Sequence, residues 1–153
     1  MIESVMQIAG GVTLARSPRR VGPKDAALRQ ARTCYDHLAG ALGVSIADAL
    51  QSSGVVEIVG DAAALTETGH AQMQALGILA PDGKTRSTRP VCRPCLDWSE
   101  RRPHLAGLLG AAICTHALNQ GWVRRHSGTR ALEITPSGRA GFRHAFGMET
   151  ASS

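Results

Sequence analysis

Aromatic side chains are nearly missing from this chain: Tyr35, Trp98, Trp122, Phe142 and Phe146 are all that its 153 residues supply. A core must therefore be filled by Leu, Ile, Val and Ala, which suits closely packed helices. Lysine is as scarce, with Lys24 and Lys84 the only two. No apolar run is long enough to span a bilayer and no signal-peptide pattern opens the sequence, so the expectation is a cytoplasmic protein with no membrane partner. Catalytic signatures are missing too. There is no G-x-S-x-G, no phosphate-binding glycine loop, no H-E-x-x-H and no pair of carboxylates at a useful spacing. The chain is expected not to be an enzyme.

What is present is an uneven charge. The formal net charge is +5, yet residues 1–84 hold seven Lys/Arg against eight Asp/Glu, whereas residues 85–148 hold ten Arg against Asp97, Glu100 and Glu133. The planar arginine fork suits phosphate or carboxylate. A basic second half is compatible with nucleic acid, and equally with a solvated surface. Four cysteines without a secretion signal point to metal, redox chemistry or small buried hydrophobes rather than a disulfide framework.

The sequence also repeats itself. HLAGALGVSIADALQSSGVV (His37–Val56) aligns with HLAGLLGAAICTHALNQGWV (His104–Val123) at a constant offset. LTETGHA (Leu65–Ala71) then aligns with ITPSGRA (Ile134–Ala140), and Cys34-Tyr-Asp36 with Cys95-Leu-Asp97. Each unit has one plan. Apolar residues at helical spacing (Leu38, Leu42, Ile46, Leu50; then Leu105, Leu109, Ile113, Ala117) predict a helix closed by Gly54 or Gly121. A hairpin follows, turning at Gly60-Asp61 or Ser127-Gly128. Thr66 or Thr135 then caps a last helix, with Pro136 at its first position.

This plan predicts an α+β, mainly α fold of tandem duplicated winged-helix-like units, each a long helix, a two-stranded wing and a helix. The expected boundaries are an N-terminal helix and linker over 1–24, a first unit over 25–79, a linker over 80–91, a second unit over 92–148 and a disordered tail over 149–153. LAGALGVSIADAL (Leu38–Leu50) also admits a helix-turn-helix, with Gly43 at the turn and Ser45, Asp48 and Gln51 facing a groove. The matching LAGLLGAAICTHAL calls for no turn, and Asp48 would repel phosphate, so one continuous helix is the simpler expectation. The second wing, RRHSGTR, offers Arg124, Arg125 and Arg130 as DNA-binding candidates; a solvated turn is the alternative.

Cys92-x-x-Cys95 has the spacing of half a zinc site, a weak signal by itself because zinc needs two more ligands. The repeat makes Cys34 the counterpart of Cys95. If the units pack about a local two-fold, the two cysteine segments approach, and His37 or His104 completes four ligands. Thiolates favour zinc or another soft ion. Two readings stay open beside this one: buried structural thiols, and a Cys92–Cys95 redox pair favoured by neighbouring arginines. Cys114 is expected in the core. Asp97 is expected to accept from Arg101 or Arg102, Asp36 from Arg29 or Arg32, and Trp98 to pack on the first helix pair.

The strings ARTCYDHLAGALGV-x-IADAL, LT-x-x-G, CRPCLDWSERRPHLAG-x-LGAA and ITPSGRAG together resemble the C-terminal region of bacterial ArsR-type transcriptional regulators, over about residues 25–148. Members of that family are winged-helix DNA-binding repressors, usually dimers, whose regulatory ligands are often metals or metalloids. The resemblance implies transcription regulation, DNA as a partner and a homodimer. It also implies that Cys34, Cys92 and Cys95 would suit a trivalent arsenical. In such regulators the DNA-reading winged helix lies N-terminal to this region, and here MIESVMQIAGG resembles only its last helix. The chain then corresponds to an effector and dimerisation region, with DNA contacted through the missing winged helix or weakly through the second wing. The alternative is a metal- or thiol-sensing binding module that does not itself contact DNA.

Overall fold

The computed structural model describes residues 26–80 and 91–150. The expected N-terminal helix and most of the 80–91 linker lie outside the described residues. Within them the fold is α+β, with five helices and four two-stranded antiparallel sheets. A short helix α1 (Ala26–Gln30) leads into β1 (Arg32–Cys34), β2 (His37–Ala39), α2 (Gly40–Ser52), β3 (Val56–Val59), β4 (Ala62–Leu65) and α3 (Glu67–Ala75). The same order of hairpin, long helix, hairpin and helix follows in β5 (Arg93–Leu96), β6 (Pro103–Ala106), α4 (Gly107–Asn119), β7 (Val123–Arg125), β8 (Leu132–Ile134) and α5 (Pro136–Phe146).

The local signals act as their chemistry dictates. Gly54 and Gly121 turn out of α2 and α4 with φ of +77° and +72°, a conformation that costs other residues a clash at Cβ. The Thr66 hydroxyl accepts from Gly69 N at 3.0 Å and donates to the Gly54 carbonyl at 2.6 Å. Thr135 does the same with Gly138 N (2.9 Å) and Gly121 O (2.6 Å). Each threonine therefore caps the last helix and ties it to the end of the long one, and Pro136 opens α5 as expected. No turn interrupts α2 at Gly43.

The first hairpin of each run was not expected. The long helices begin at Gly40 and Gly107, so Leu38 and Leu105 sit in strands β2 and β6 rather than in helices. The hairpins also exchange partners. Helix α2 packs more heavily on β6 than on its own β2, and α4 more heavily on β2 than on β6. Close approach is possible because Gly43 and Gly110 carry no side chain. A Cβ at Gly43 would meet the Leu38 carbonyl oxygen at 2.4 Å and His104 Cβ at 3.3 Å; at Gly110 it would meet Leu105 O at 2.3 Å and His37 Cβ at 3.2 Å. One aliphatic core runs through both halves, with Leu50, Val56, Met73, Leu109, Val123 and Phe142 fully buried. Three aromatics of the second half, Trp122, Phe142 and Phe146, gather together, with Trp122 meeting Phe142 edge-on at 5.1 Å.

Several side chains lie elsewhere than expected. Trp98 is 52% exposed and does not enter the helix pair. Arg102 pairs with Asp48 at 2.7 Å instead of Asp97. Arg101 uses its backbone N–H, not its guanidinium, to reach the Asp97 carbonyl at 2.9 Å. Glu149, assigned to a loose tail, holds Arg143 at 2.8 Å. Cys114 is buried on α4 as expected, and burial raises its thiol pKa.

Candidate metal centre

The site grows from strand register. In the first hairpin Cys34 pairs directly with His37, and in the second Cys95 pairs directly with His104. Side chains opposite one another in an antiparallel pair emerge on the same face. Each hairpin thus presents one thiol and one imidazole together. A two-residue turn, Tyr35-Asp36, separates the first pair, and a longer loop the second. That loop accounts for the six extra residues ahead of the second HLAG.

Because the hairpins face each other across the junction of the halves, their four donors converge. One ligand atom from each of Cys34, His37, Cys95 and His104 lies within 4.8 Å of every other. The histidines form the buried floor, 5% and 1% exposed. Their Nε2 atoms stand 3.0 Å apart. The half-buried thiols of Cys34 and Cys95 touch each other and line a cleft of about 420 Å³ with Tyr35, Asp36, Arg93 and Gly107. Burial, and then the Cys34 thiol beside it, raise the Cys95 pKa, while Arg93 works the other way.

Carboxylates hold both imidazoles from behind. His37 Nδ1 faces Asp36 Oδ1 at 3.3 Å, and His104 Nδ1 faces Asp97 Oδ2 at 2.9 Å. Asp97 is fully buried and organises its whole surroundings. Its Oδ1 accepts from Ser99 N (3.0 Å), Ser99 Oγ (2.8 Å) and Glu100 N (3.0 Å), and Arg32 Nη2 lies 3.4 Å away. Its Oδ2 accepts from Gly40 N at 2.6 Å. Helix α2 has no side-chain cap of its own at Ala39; a carboxylate from the other half satisfies its first N–H and faces the positive end of its dipole. Burial alone would push this carboxyl pKa up. The hydrogen bonds from Glu100, Gly40 and Ser99 and the Arg32 charge outweigh burial and hold it well below the usual carboxylate range. His104 is shifted down, first by burial and then by His37.

Of the five candidate ligands, four come together and Cys92 does not. Cys92 is buried in the aliphatic core, where loss of solvent pushes its thiol up to about 11. The thiol pair at the site is therefore Cys34–Cys95, not Cys92–Cys95. Asp36 and Asp97, which orient the histidines, were read in the sequence only as ion-pair formers. Their position immediately before His37, and at the matching place in the repeat, was the available signal.

The three arginines expected in the second wing, on and beside hairpin β7–β8, are exposed, and two of them are engaged. Arg124 pairs with Glu133 at 3.1 Å, and Arg130 Nη1 reaches the Thr33 carbonyl at 3.4 Å. The wing is also stitched to the first half by backbone bonds from Thr33 N to Arg130 O (3.1 Å) and from Leu132 N to Ala31 O (2.9 Å). Arg125 points to solvent from β7.

No family model and no solved structure matches this sequence. The chain is similar to a protein of Bacillus subtilis (strain 168) named as an uncharacterized HTH-type transcriptional regulator, YdfF. The two are 38% identical over 142 residues, which cover 93% of this chain and 62% of that protein. Among the described residues no helix is long and apolar enough to cross a membrane.

Proposed function

We propose that the chain serves transcription regulation as the effector and dimerisation region of an ArsR-type, HTH-type regulator in the cytoplasm. Its two hairpin–helix–wing–helix runs are taken as tandem winged-helix-like units that arose by duplication, with the boundaries given above. The observation that carries the reading is the match of nearly the whole chain to a relative named as a transcriptional regulator. That name also favours a regulator over an enzyme. The effector would be zinc or another soft metal or metalloid, taken up at the junction of the units where the thiols and imidazoles converge. DNA would be engaged by the regulator as a homodimer, through a winged helix outside these residues and more weakly through Arg124, Arg125 and Arg130 of the second hairpin.

A second reading has its own support: the module does not touch DNA at all. Arg124 and Arg130 are already engaged within the protein, which leaves little of the wing's charge for phosphate. Fluorescence anisotropy on duplex DNA separates the two. If the wing contributes, the 153-residue chain binds with an affinity that falls steeply with salt, and replacing Arg124, Arg125 and Arg130 by Ala weakens binding and flattens that dependence by up to about three phosphate contacts. Salt-insensitive or absent binding by this chain, with binding by a longer form, assigns DNA to a winged helix outside these residues. A regulator that fails to bind its own promoter in any form overturns the transcription reading.

A further inference from the structure

We infer that Cys34, His37, Cys95 and His104 bind one tetrahedral divalent cation of the zinc type, through two thiolate sulfurs and two Nε2 atoms, as a clasp to which each half contributes one Cys and one His. This rests on the reading of the junction as a cation receptor and narrows it. The ligand is an S2N2 ion, not a metalloid held by three thiolates, because Cys92 lies in the core away from the other two sulfurs.

Three observations converge. The first is the donor set itself, which is that of structural zinc. The second is spacing. Metal–sulfur bonds of about 2.3 Å and metal–nitrogen bonds of about 2.0 Å place tetrahedral donors about 3.3–3.8 Å apart. The histidine nitrogens, at 3.0 Å, are already near that value, and no donor pair exceeds 4.8 Å. The third is a count of hydrogens. The chain Asp36–His37–His104–Asp97 contains three close polar contacts, and ionised carboxylates only accept. With both imidazoles neutral, the pair would bring two N–H groups for these three contacts. If both face their carboxylates through Nδ1, the two Nε2 lone pairs point at each other across 3.0 Å. A cation between them removes that conflict and leaves each Nδ1–H on its carboxylate, the arrangement that fixes the ring and strengthens it as a ligand. The thiols complete the shell from the side of the 420 Å³ cleft, which gives the ion its route in.

The test uses the reduced, metal-free full chain and cobalt(II) as the probe. One equivalent should give intense tetrahedral d–d bands with sulfur-to-cobalt charge transfer, and zinc should displace it stoichiometrically. Cys92→Ser should leave the spectrum unchanged. Cys34→Ser and Cys95→Ser should each lose about half the charge-transfer intensity. Asp36→Asn tests a positioning residue: the spectrum should persist with affinity lowered about 10–100-fold. Circular dichroism identifies any variant that fails to fold. A folded chain that takes up no cobalt, or a spectrum that depends on Cys92 or has octahedral intensity, overturns the inference while leaving the transcription reading to its own DNA-binding test. An intact cobalt site in a regulator that binds no promoter would do the reverse.

Discussion

At the scale of single residues, Asp97 carries the heaviest duty. It accepts five hydrogen bonds from Gly40 N, Ser99 N, Ser99 Oγ, Glu100 N and Arg32, and also faces His104. Asp97→Ala would leave a buried guanidinium, an uncapped α2 and an unheld imidazole. The expected loss in urea unfolding is about 3–5 kcal/mol at neutral pH, the usual cost of removing one partner from a buried charged network. The folded pKa is depressed, so the stabilisation is complete above the unfolded value of about 3.9 and is lost as pH falls through and below it. The gap between Asp97→Ala and the parent should therefore narrow in acid. A gap of equal size at pH 3 and pH 7 would mean that packing, not charge, explains the loss. The sequence marked Asp97 as an ion-pair former but chose Arg101 and Arg102, its neighbours along the chain. Its charged partner Arg32 and the helix N–H of Gly40 come from 65 and 57 residues away, a distance at which one sequence offers no pairing signal. Cys92 was assigned to the site for the same reason. CxxC spacing is a local cue, whereas the site is set by strand register, which pairs Cys95 with His104.

At the scale of elements, the long helices, the two-stranded hairpins that follow them and both threonine caps were legible because each has a local chemical cause. The hairpins β1–β2 and β5–β6 were not. Their strands are three or four residues long, and β2 is buried at every position, so the alternation that marks a half-buried strand is missing. Leu38 also stands four residues before Leu42, and Leu105 four before Leu109, which prolongs the helical stripe backwards into the strands. The discarded turn at Gly43 has a positive explanation instead: this glycine and Gly110 admit the opposite half's histidine against the helix. Gly110→Ala forces a methyl against the Leu105 carbonyl and His37 Cβ, so it should cost about 1–3 kcal/mol by overpacking although alanine is the better helix former. It should also weaken cobalt binding by displacing His37. The control is Gln51→Ala, an exposed position on α2, expected within about 0.5 kcal/mol of the parent. Equal stability of the two variants in urea would show that the helix–hairpin contact is slack.

At the scale of the molecule, the repeat is more than two units in a row, because each long helix leans on the other half's hairpin and the two share one core. Neither half holds a full set of the four clustered donors: removing either takes one thiol and one imidazole from the cluster and, with the second half, the Asp97 carboxylate from the start of α2. A bound ion must therefore stabilise both halves together. With free zinc at about 100 times its dissociation constant the gain is about 2.7 kcal/mol, which for a chain of this size corresponds to roughly 5–10 °C in the unfolding midpoint. Chelation should return that gain as one cooperative transition. Two local probes read it: fluorescence of Trp122 in a Trp98→Phe background for the second half, and hydrogen exchange of the α2 amides for the first. Coincident shifts on adding zinc are expected. Protection that rises around α4 while α2 stays unchanged would mean that the ion sits within one half, and that the crossed packing does not couple them.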